Sequence, residues 1–357
     1  MFAGREVRRI EQDPELGRYS RQVVFAPIGP EGQRRLLKSR VTLIGCGGLG
    51  SSSANMLARA GVGFLRIVDR DFIELNNLQR QVLFTEDDIA ANLPKAEAAR
   101  RKLQRINSTI RVEAVVADVN HRNVEQLCEG ADLVVDGTDN FETRFLINDV
   151  AVKTNRPWVY GACVGATGLS MPIVPHDTPC LRCVFEQGPP PEMMVTCATV
   201  GVLSPAVNVV AAHQVIVAMK ILMGQLQLLD RRLLSVDIWK GRIAYVNVQK
   251  AYDQGSCPCC RGGNFEYLAG KFGSGEVTPC GRDAVQIRPP ERTEVDFAVI
   301  AEKIAAVAEA EPQFNAFALR AHVGVYGLTV FADGRAIISG VRTPEEARTV
   351  YAKYIGA

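Results

Sequence analysis

Residues 41–80 read VTLIGCGGLGSSSANMLARAGVGFLRIVDRDFIELNNLQR. The apolar run at 41–44 predicts a buried parallel strand. Gly45-Cys46-Gly47-Gly48-Leu49-Gly50 matches G-x-G-x-x-G, and the serines after it lead into a helical pattern carried by Ala54, Leu57 and Ala60. A second strand, 64–68, ends on Asp69. Strand, glycine turn, helix, strand and acid form the βαβ context that a nucleotide-binding fingerprint requires. Gly45, Gly47, Gly48 and Gly50 let backbone approach a phosphate, whose charge suits exposed amides at the helix start. Asp69, at the second strand tip, suits ribose hydroxyls.

Outward from this unit, strands and helices alternate. A helix lies within 86–107, with Ala96, Ala99, Leu103 and Ile106 at helical spacing and Pro94 near its first turn. A strand is expected at 111–116, a short helix at 119–127, and a buried strand at 131–136 that runs into Gly137-Thr138-Asp139-Asn140. A helix at 141–154 then leads to a strand at 157–161. This alternation predicts an α/β fold, a Rossmann-like, mostly parallel sheet wrapped by helices. Further on, 165–174 and 234–248 alternate like antiparallel strands, separated by a Gly/Pro-rich loop and a long apolar helix from Pro205. Residues 1–268 are expected to form one domain and 269–357 a small α+β module. The first 17 residues are charged and are expected to be a loose leader; 30–39 reads as a polar helix.

The chain has 357 residues, a formal net charge of +2 and 47% apolar residues, so charge lends no support to a nucleic-acid or membrane-surface role. The N-terminus lacks the apolar stretch of a signal peptide. Asn208, His213, Gln214 and Lys220 interrupt the long apolar helix, which predicts a core or subunit-interface helix rather than a membrane span. Ten cysteines without a secretory signal point to a reducing cytoplasm.

Two of the cysteine groups, Cys180-Leu181-Arg182-Cys183 and Cys257-Pro258-Cys259-Cys260, contain C-x-x-C pairs. Together, Cys180, Cys183, Cys257 and Cys260 can complete a closed tetrahedral Zn2+ site, structural because no coordination position stays open; Cys259 is spare. Cys46, Cys128, Cys163 and Cys280 read as core residues, and the four histidines show no ligand spacing. Arg21, Arg80 and Lys95 are cations that, taken singly, read as solvated surface charges; taken together they suit phosphate. Asp139, at a strand tip, reads either as a Mg2+ ligand or as the N-cap of the helix starting at Phe141.

Arg18-Tyr19-Ser20-Arg21-Gln22, the GCGGLG loop, IVDRDFIELNNLQRQ, Pro94-Lys95, GTDN and the two cysteine pairs occur in one order that resembles the ThiF/MoeB/HesA family, relatives of ubiquitin-activating enzymes. The resemblance covers residues 17–262. It implies ATP-dependent adenylation of the C-terminal glycine of a ubiquitin-like sulfur carrier with a Gly-Gly tail, ThiS-like or MoaD-like, with release of pyrophosphate. By motif, Asp71 and Asn77 would orient ribose or phosphate beside Asp69. Arg80 and Lys95 would neutralise phosphate charge, and Asp139 would hold Mg2+. Arg21 would reach the ATP site of a second subunit, implying a homodimer. Cys197 matches a cysteine linked to sulfur transfer, and residues 186–195 would be a mobile loop over the carrier tail. The sulfur donor would be a cysteine desulfurase or a rhodanese; the module beyond 269 lacks a rhodanese cysteine loop. The competing readings are an NAD-dependent oxidoreductase and a non-catalytic nucleotide-binding scaffold.

Overall fold

Five apolar runs become the parallel half of the main sheet: β1 (Arg40–Ile44), β2 (Phe64–Val68), β3 (Arg111–Val115), β4 (Leu133–Asp136) and β5 (Trp158–Val164), arranged β3-β2-β1-β4-β5. A computed structural model describes residues 4–188, 197–253, 255–272, 284–287, 295–341 and 343–356. β1, β2 and β4 are almost wholly buried, whereas the edge strand β3 is only partly so, and the helices Gly48–Ala60, Lys95–Ile106 and Phe141–Lys153 help to cover the sheet. The chain leaves β1 toward β2 and β3 and returns to β4 on the other side of β1, so the order reverses there. Such a reversal opens a crevice at the carboxyl ends of the strands. The register aligns Ile44 with Val68 on one side and with Asp136 on the other, bringing three strand tips to that crevice.

From β5 the sheet turns antiparallel through β6 (Thr167–Ile173), β7 (Leu233–Asp237) and β8 (Arg242–Val246). The apolar helix Ser204–Leu222 packs on the helix Gly48–Ala60 and on β5 and β6. Its length and apolarity would also span a membrane, yet Val210, Ala211, Gln214 and Ala218 are fully buried within the chain. Gln214 explains a polar residue there: its amide donates to the carbonyls of Asp136, at 2.7 Å, and Val159, at 3.3 Å.

The leader expected to be loose instead contains the helix Gly4–Glu11. Ile10 is buried with Leu16, Tyr19 and Val23, a small cluster that the surrounding charges conceal in sequence. The helix expected within 86–107 is Lys95–Ile106, with Pro94 at its N-cap position, and a separate short helix, Glu86–Ala90, precedes it.

The chain divides into two compact units, Met1–Val195 with Gly201–Phe272, and Thr196–Val200 with Gly273–Ala357. In the second, β9 (Ala284–Ile287), β10 (Gln313–Phe314), β11 (Ala318–Val323), β12 (Tyr326–Phe331) and β13 (Ala336–Ser339) make an antiparallel sheet ordered β10-β11-β12-β13-β9. The helices Phe297–Ala305 and Pro344–Tyr354 supply Ile300, Ile304 and Val350 to its core.

Candidate active site

The glycine loop is where β1, β4 and the following helix touch through backbone. Gly45 has φ +87°, and a Cβ there would stand 2.6 Å from the Gly137 carbonyl. A Cβ on Gly50 or Gly137 would overlap the Gly45 carbonyl oxygen. These three glycines therefore permit close packing. Gly47 differs, since a Cβ there would meet nothing nearer than 4.0 Å. Gly47 also occupies the N-cap position of the helix Gly48–Ala60 and, without a side chain, leaves the first-turn amides uncapped. The helix start thus offers free donors and a positive dipole end to an anion.

Asp69 secures the loop to β2. Its Oδ2 accepts from the Cys46 amide at 2.6 Å and its Oδ1 from the Asp71 amide at 2.7 Å. Each oxygen keeps a second acceptor position for a hydroxyl. Burial lifts the Asp69 carboxyl above its ordinary range, against the pull of Lys95. Lys95 begins the helix Lys95–Ile106, and its Nζ lies 2.9 Å from Asp71 Oδ2. Its side chain is only 7% exposed, and burial opposes its charge. The carboxylates of Asp71, Asp69 and Asp139 outweigh that and hold its pKa above the usual lysine value.

The segment after Asp71 folds over the loop. Glu74 and Asn77 cap a single helical turn, Leu75–Asn77, reciprocally, and the buried Asn77 amide donates to Asn76 at 2.6 Å. Arg80 donates to the Asn76 carbonyl at 2.8 Å, and its Cγ lies 3.7 Å from where a Gly48 Cβ would be. Among the described residues Arg80 has no acidic partner within ion-pair range, so its charge remains available to an anion at the helix start.

On the other wall, β4 ends at Asp136, which is fully buried. Arg144, from the helix Phe141–Lys153, reaches Asp136 Oδ2 at 3.1 Å and also donates to the carbonyls of Thr138, at 2.7 Å, and Gly161, at 3.2 Å. Asp136 Oδ1 accepts from the Thr138 amide at 2.9 Å and hydroxyl at 2.7 Å. The turn carrying Asp139 is thereby fixed from within. The N-cap alternative for Asp139 is corrected here, because Asn140 fills that role, its Oδ1 accepting from the Thr143 amide at 2.9 Å. The Asp139 carboxylate is exposed, and its field reaches Lys95 and Arg144. Sequence reasoning missed the Asp136–Arg144 pair. The available signal was an acid inside an apolar strand, which demands a buried partner.

Arg21 is not brought to this crevice. It is 84% exposed and pairs with Glu11 at 3.1 Å. Its neighbour Gln22 donates to the Ala60 carbonyl at 3.0 Å, at the far end of the 13-residue helix Gly48–Ala60, about 20 Å from the glycine loop. Cys197 opens a short helix, Cys197–Val200, but its side chain lies outside the described residues, as do 189–196 of the expected loop and Cys280. Burial pushes the Cys46 thiol up and the Cys128 thiol up to about 12, so neither offers a thiolate at neutral pH.

The four C-x-x-C sulfurs converge, all within 4.8 Å of one another. Cys183 and Cys260 lie 3.4 Å apart, Cys180 and Cys257 3.6 Å, and Cys180 and Cys183 3.8 Å. A tetrahedron with Zn–S bonds of about 2.3 Å separates its sulfurs by about 3.8 Å, so these four thiols fit a zinc ion. Cys259 stands aside, its thiol donating to Asp149 at 3.4 Å and accepting from Asn148 at 3.3 Å. Asn148 also accepts from the Leu181 amide at 2.8 Å, and Asp149 from the amides of Tyr267, at 3.0 Å, and Leu268, at 3.2 Å. One helix thus anchors both knuckles.

The ThiF family model matches residues 19–259. A sulfur carrier protein ThiS adenylyltransferase from Bacillus subtilis (strain 168) is 42% identical over 340 residues, covering 95% of this chain and 99% of that protein. A SAMP-activating enzyme E1 from Haloferax volcanii is 42% identical over 254 residues, covering 71% of this chain and 92% of that protein. The crystal structure of E. coli MccB with ATP aligns with a TM-score of 0.58 at 26% identity, covering 69% of this chain and 75% of that one.

Proposed function

The chain belongs to the ThiF family, and from that premise we propose that it adenylates the C-terminal glycine carboxylate of a small ubiquitin-like sulfur-carrier protein, consuming ATP and releasing pyrophosphate. The phosphates rest at the start of the helix Gly48–Ala60, over Gly47. The carrier carboxylate oxygen attacks the α-phosphorus in line, the bond to the bridging oxygen breaks, and its electron pair leaves with pyrophosphate. Such a displacement needs positioning and charge neutralisation more than covalent help. Arg80 and Lys95 supply the neutralising charge, while Asp69, Asp71 and Asn77 orient ribose and phosphate. Asp139 would hold Mg2+, which when bound offsets phosphate charge. Cys180, Cys183, Cys257 and Cys260 would hold Zn2+, which when bound cross-links the two knuckles.

Arg21 is assigned to the ATP site of a second copy, since it lies far from the glycine loop of its own chain. The exposed Val209 and Ile216 on the helix Ser204–Leu222 suit the matching dimer face. Cys197 is assigned to the later sulfur transfer, with a cysteine desulfurase or rhodanese as donor. The adenylation domain spans 1–268, and 269–357 docks the carrier or the donor. The reaction belongs in the cytoplasm, where the cluster thiols stay reduced.

The observation that carries this reading is Lys95, a buried cation ringed by three carboxylates beside an uncapped helix start. An oxidoreductase or scaffold is not favoured, because a relative named an adenylyltransferase matches 95% of the chain. The test is mass spectrometry of a ThiS-like carrier after incubation with ATP and Mg2+. An acyl adenylate on the carrier is expected; an unmodified carrier alongside demonstrated ATP binding contradicts the reading.

A further inference from the structure

Gln81 is 3% exposed, yet its carboxamide makes no hydrogen bond among the described residues, and its Oε1 is wholly shielded. Buried polar groups without a partner are uncommon and each asks for a cause. Its backbone is firmly held, with its amide donating to the Asn77 carbonyl at 3.0 Å and its carbonyl accepting from the Phe84 amide at 3.1 Å. The side chain is therefore delivered to its place by a rigid turn. Its Nε2 and the Gly137 carbonyl are the atoms nearest to the open side of Gly47, both 4.0 Å from where a Cβ would stand. Arg80, the preceding residue, passes Gly48, its Cγ 3.7 Å from where a Cβ would stand there, beyond Val207 at 3.2 Å. Two consecutive side chains thus flank the two residues at the uncapped helix start, one cationic and one neutral.

We propose that Gln81 is a substrate-contacting residue, its unpartnered carboxamide donating to a phosphate oxygen of the nucleotide held at Gly47. This rests on the adenylation reading given above. A carboxamide adds a directed donor without charge, so it fixes the phosphate position while Arg80 and Lys95 neutralise it. Rotation of the amide by half a turn exchanges its oxygen and nitrogen and leaves the same unmet bonding capacity.

The experiment compares wild type, Gln81→Met and Gln81→Glu in three readouts: melting temperature without nucleotide, the rise in melting temperature with ATP and Mg2+, and carrier-dependent ATP–pyrophosphate exchange. Methionine keeps the length and removes an unsatisfied polar group, so melting without ATP is expected within about 2 °C of wild type or higher. The ATP-induced rise should at least halve, and kcat/KM for exchange should fall about tenfold or more. Glutamate, repelling phosphate, should fall further. An unchanged ATP-induced rise and exchange in Gln81→Met overturns the proposal. So does a drop of more than about 5 °C without ATP, which marks a structural residue. If the wild type shows no exchange, the adenylation reading fails, while the ATP-induced rise still judges Gln81.

Discussion

Lys95 grips Asp71 twice: its Nζ reaches Oδ2 at 2.9 Å, and its own amide donates to the Asp71 carbonyl at 2.8 Å. The first contact is electrostatic and the second fixes where the helix Lys95–Ile106 begins. One lysine therefore sets both the charge and the geometry of the wall facing the glycine loop. Lys95→Met should lower ATP–pyrophosphate exchange by about a hundredfold and also lower the melting temperature, because Asp69 is buried and loses the cation that offsets its charge, whereas Asp71, 41% exposed, can be solvated. The raised pKa keeps Lys95 charged throughout the neutral range. Its stabilising contribution is present below its unfolded pKa of about 10.4 and is lost only as pH rises through the folded value. A wild-type exchange profile should show no alkaline loss from this residue below about pH 10.

Asp136 and Arg144 form a buried pair, and removing one partner strands the other. Arg144→Met should cost about 3–5 kcal/mol, read as a shift in the denaturation midpoint. Burial already pushes the Asp136 carboxyl up, with Arg144 opposing it. Without Arg144 the folded pKa rises further above the unfolded one. That raised group favours folding at low pH, and the benefit disappears as pH climbs through its folded pKa. The gap to wild type should therefore widen from pH 5 to pH 8.

Gly47 and Gly137 separate binding from packing. Gly137→Ala drives a methyl group into the Gly45 carbonyl and should destabilise the fold by about 1–3 kcal/mol. Gly47→Ala has room, so melting without ATP should hold while the ATP-induced rise shrinks. Calorimetry of both variants, with and without ATP, checks this.

Asn140, not Asp139, caps the helix Phe141–Lys153. Asp139→Asn should keep wild-type melting and reduce exchange by at least about a hundredfold. Asn140→Ala should do the opposite, costing about 1 kcal/mol of stability with exchange retained.

Metal analysis separates the cysteines. Wild type should carry one zinc per chain, Cys183→Ser should lose it together with thermal stability, and Cys259→Ser should retain it. Loss of zinc in Cys259→Ser would bring Asn148 and Asp149 into question as supports of a spare thiol.

The glycine loop, the strand–helix alternation around it and the cysteine pairs were legible because each is local or regularly spaced. Residues 41–80 alone encode a turn that only glycine allows and a helix start without a cap. The N-terminal helix was not legible, because Ile10 and Leu16 are isolated among charges and bury only against Tyr19 and Val23. Nor was the Asp136–Arg144 pair, whose partners lie on a strand and a helix and follow no single period. Asp139 resisted for a different reason: Asp and Asn both cap helices, and adjacent residues compete for one position. Arg21 was legible as a cation by motif, but its distance from the crevice follows only from where Gln22 docks.

The most direct test of the central claim is ATP–pyrophosphate exchange with purified ThiS-like and MoaD-like carriers supplied separately. Exchange that requires a carrier with an intact C-terminal glycine is expected, and it collapses in Lys95→Met. Exchange absent with every carrier, in a protein shown to bind ATP, would contradict the account.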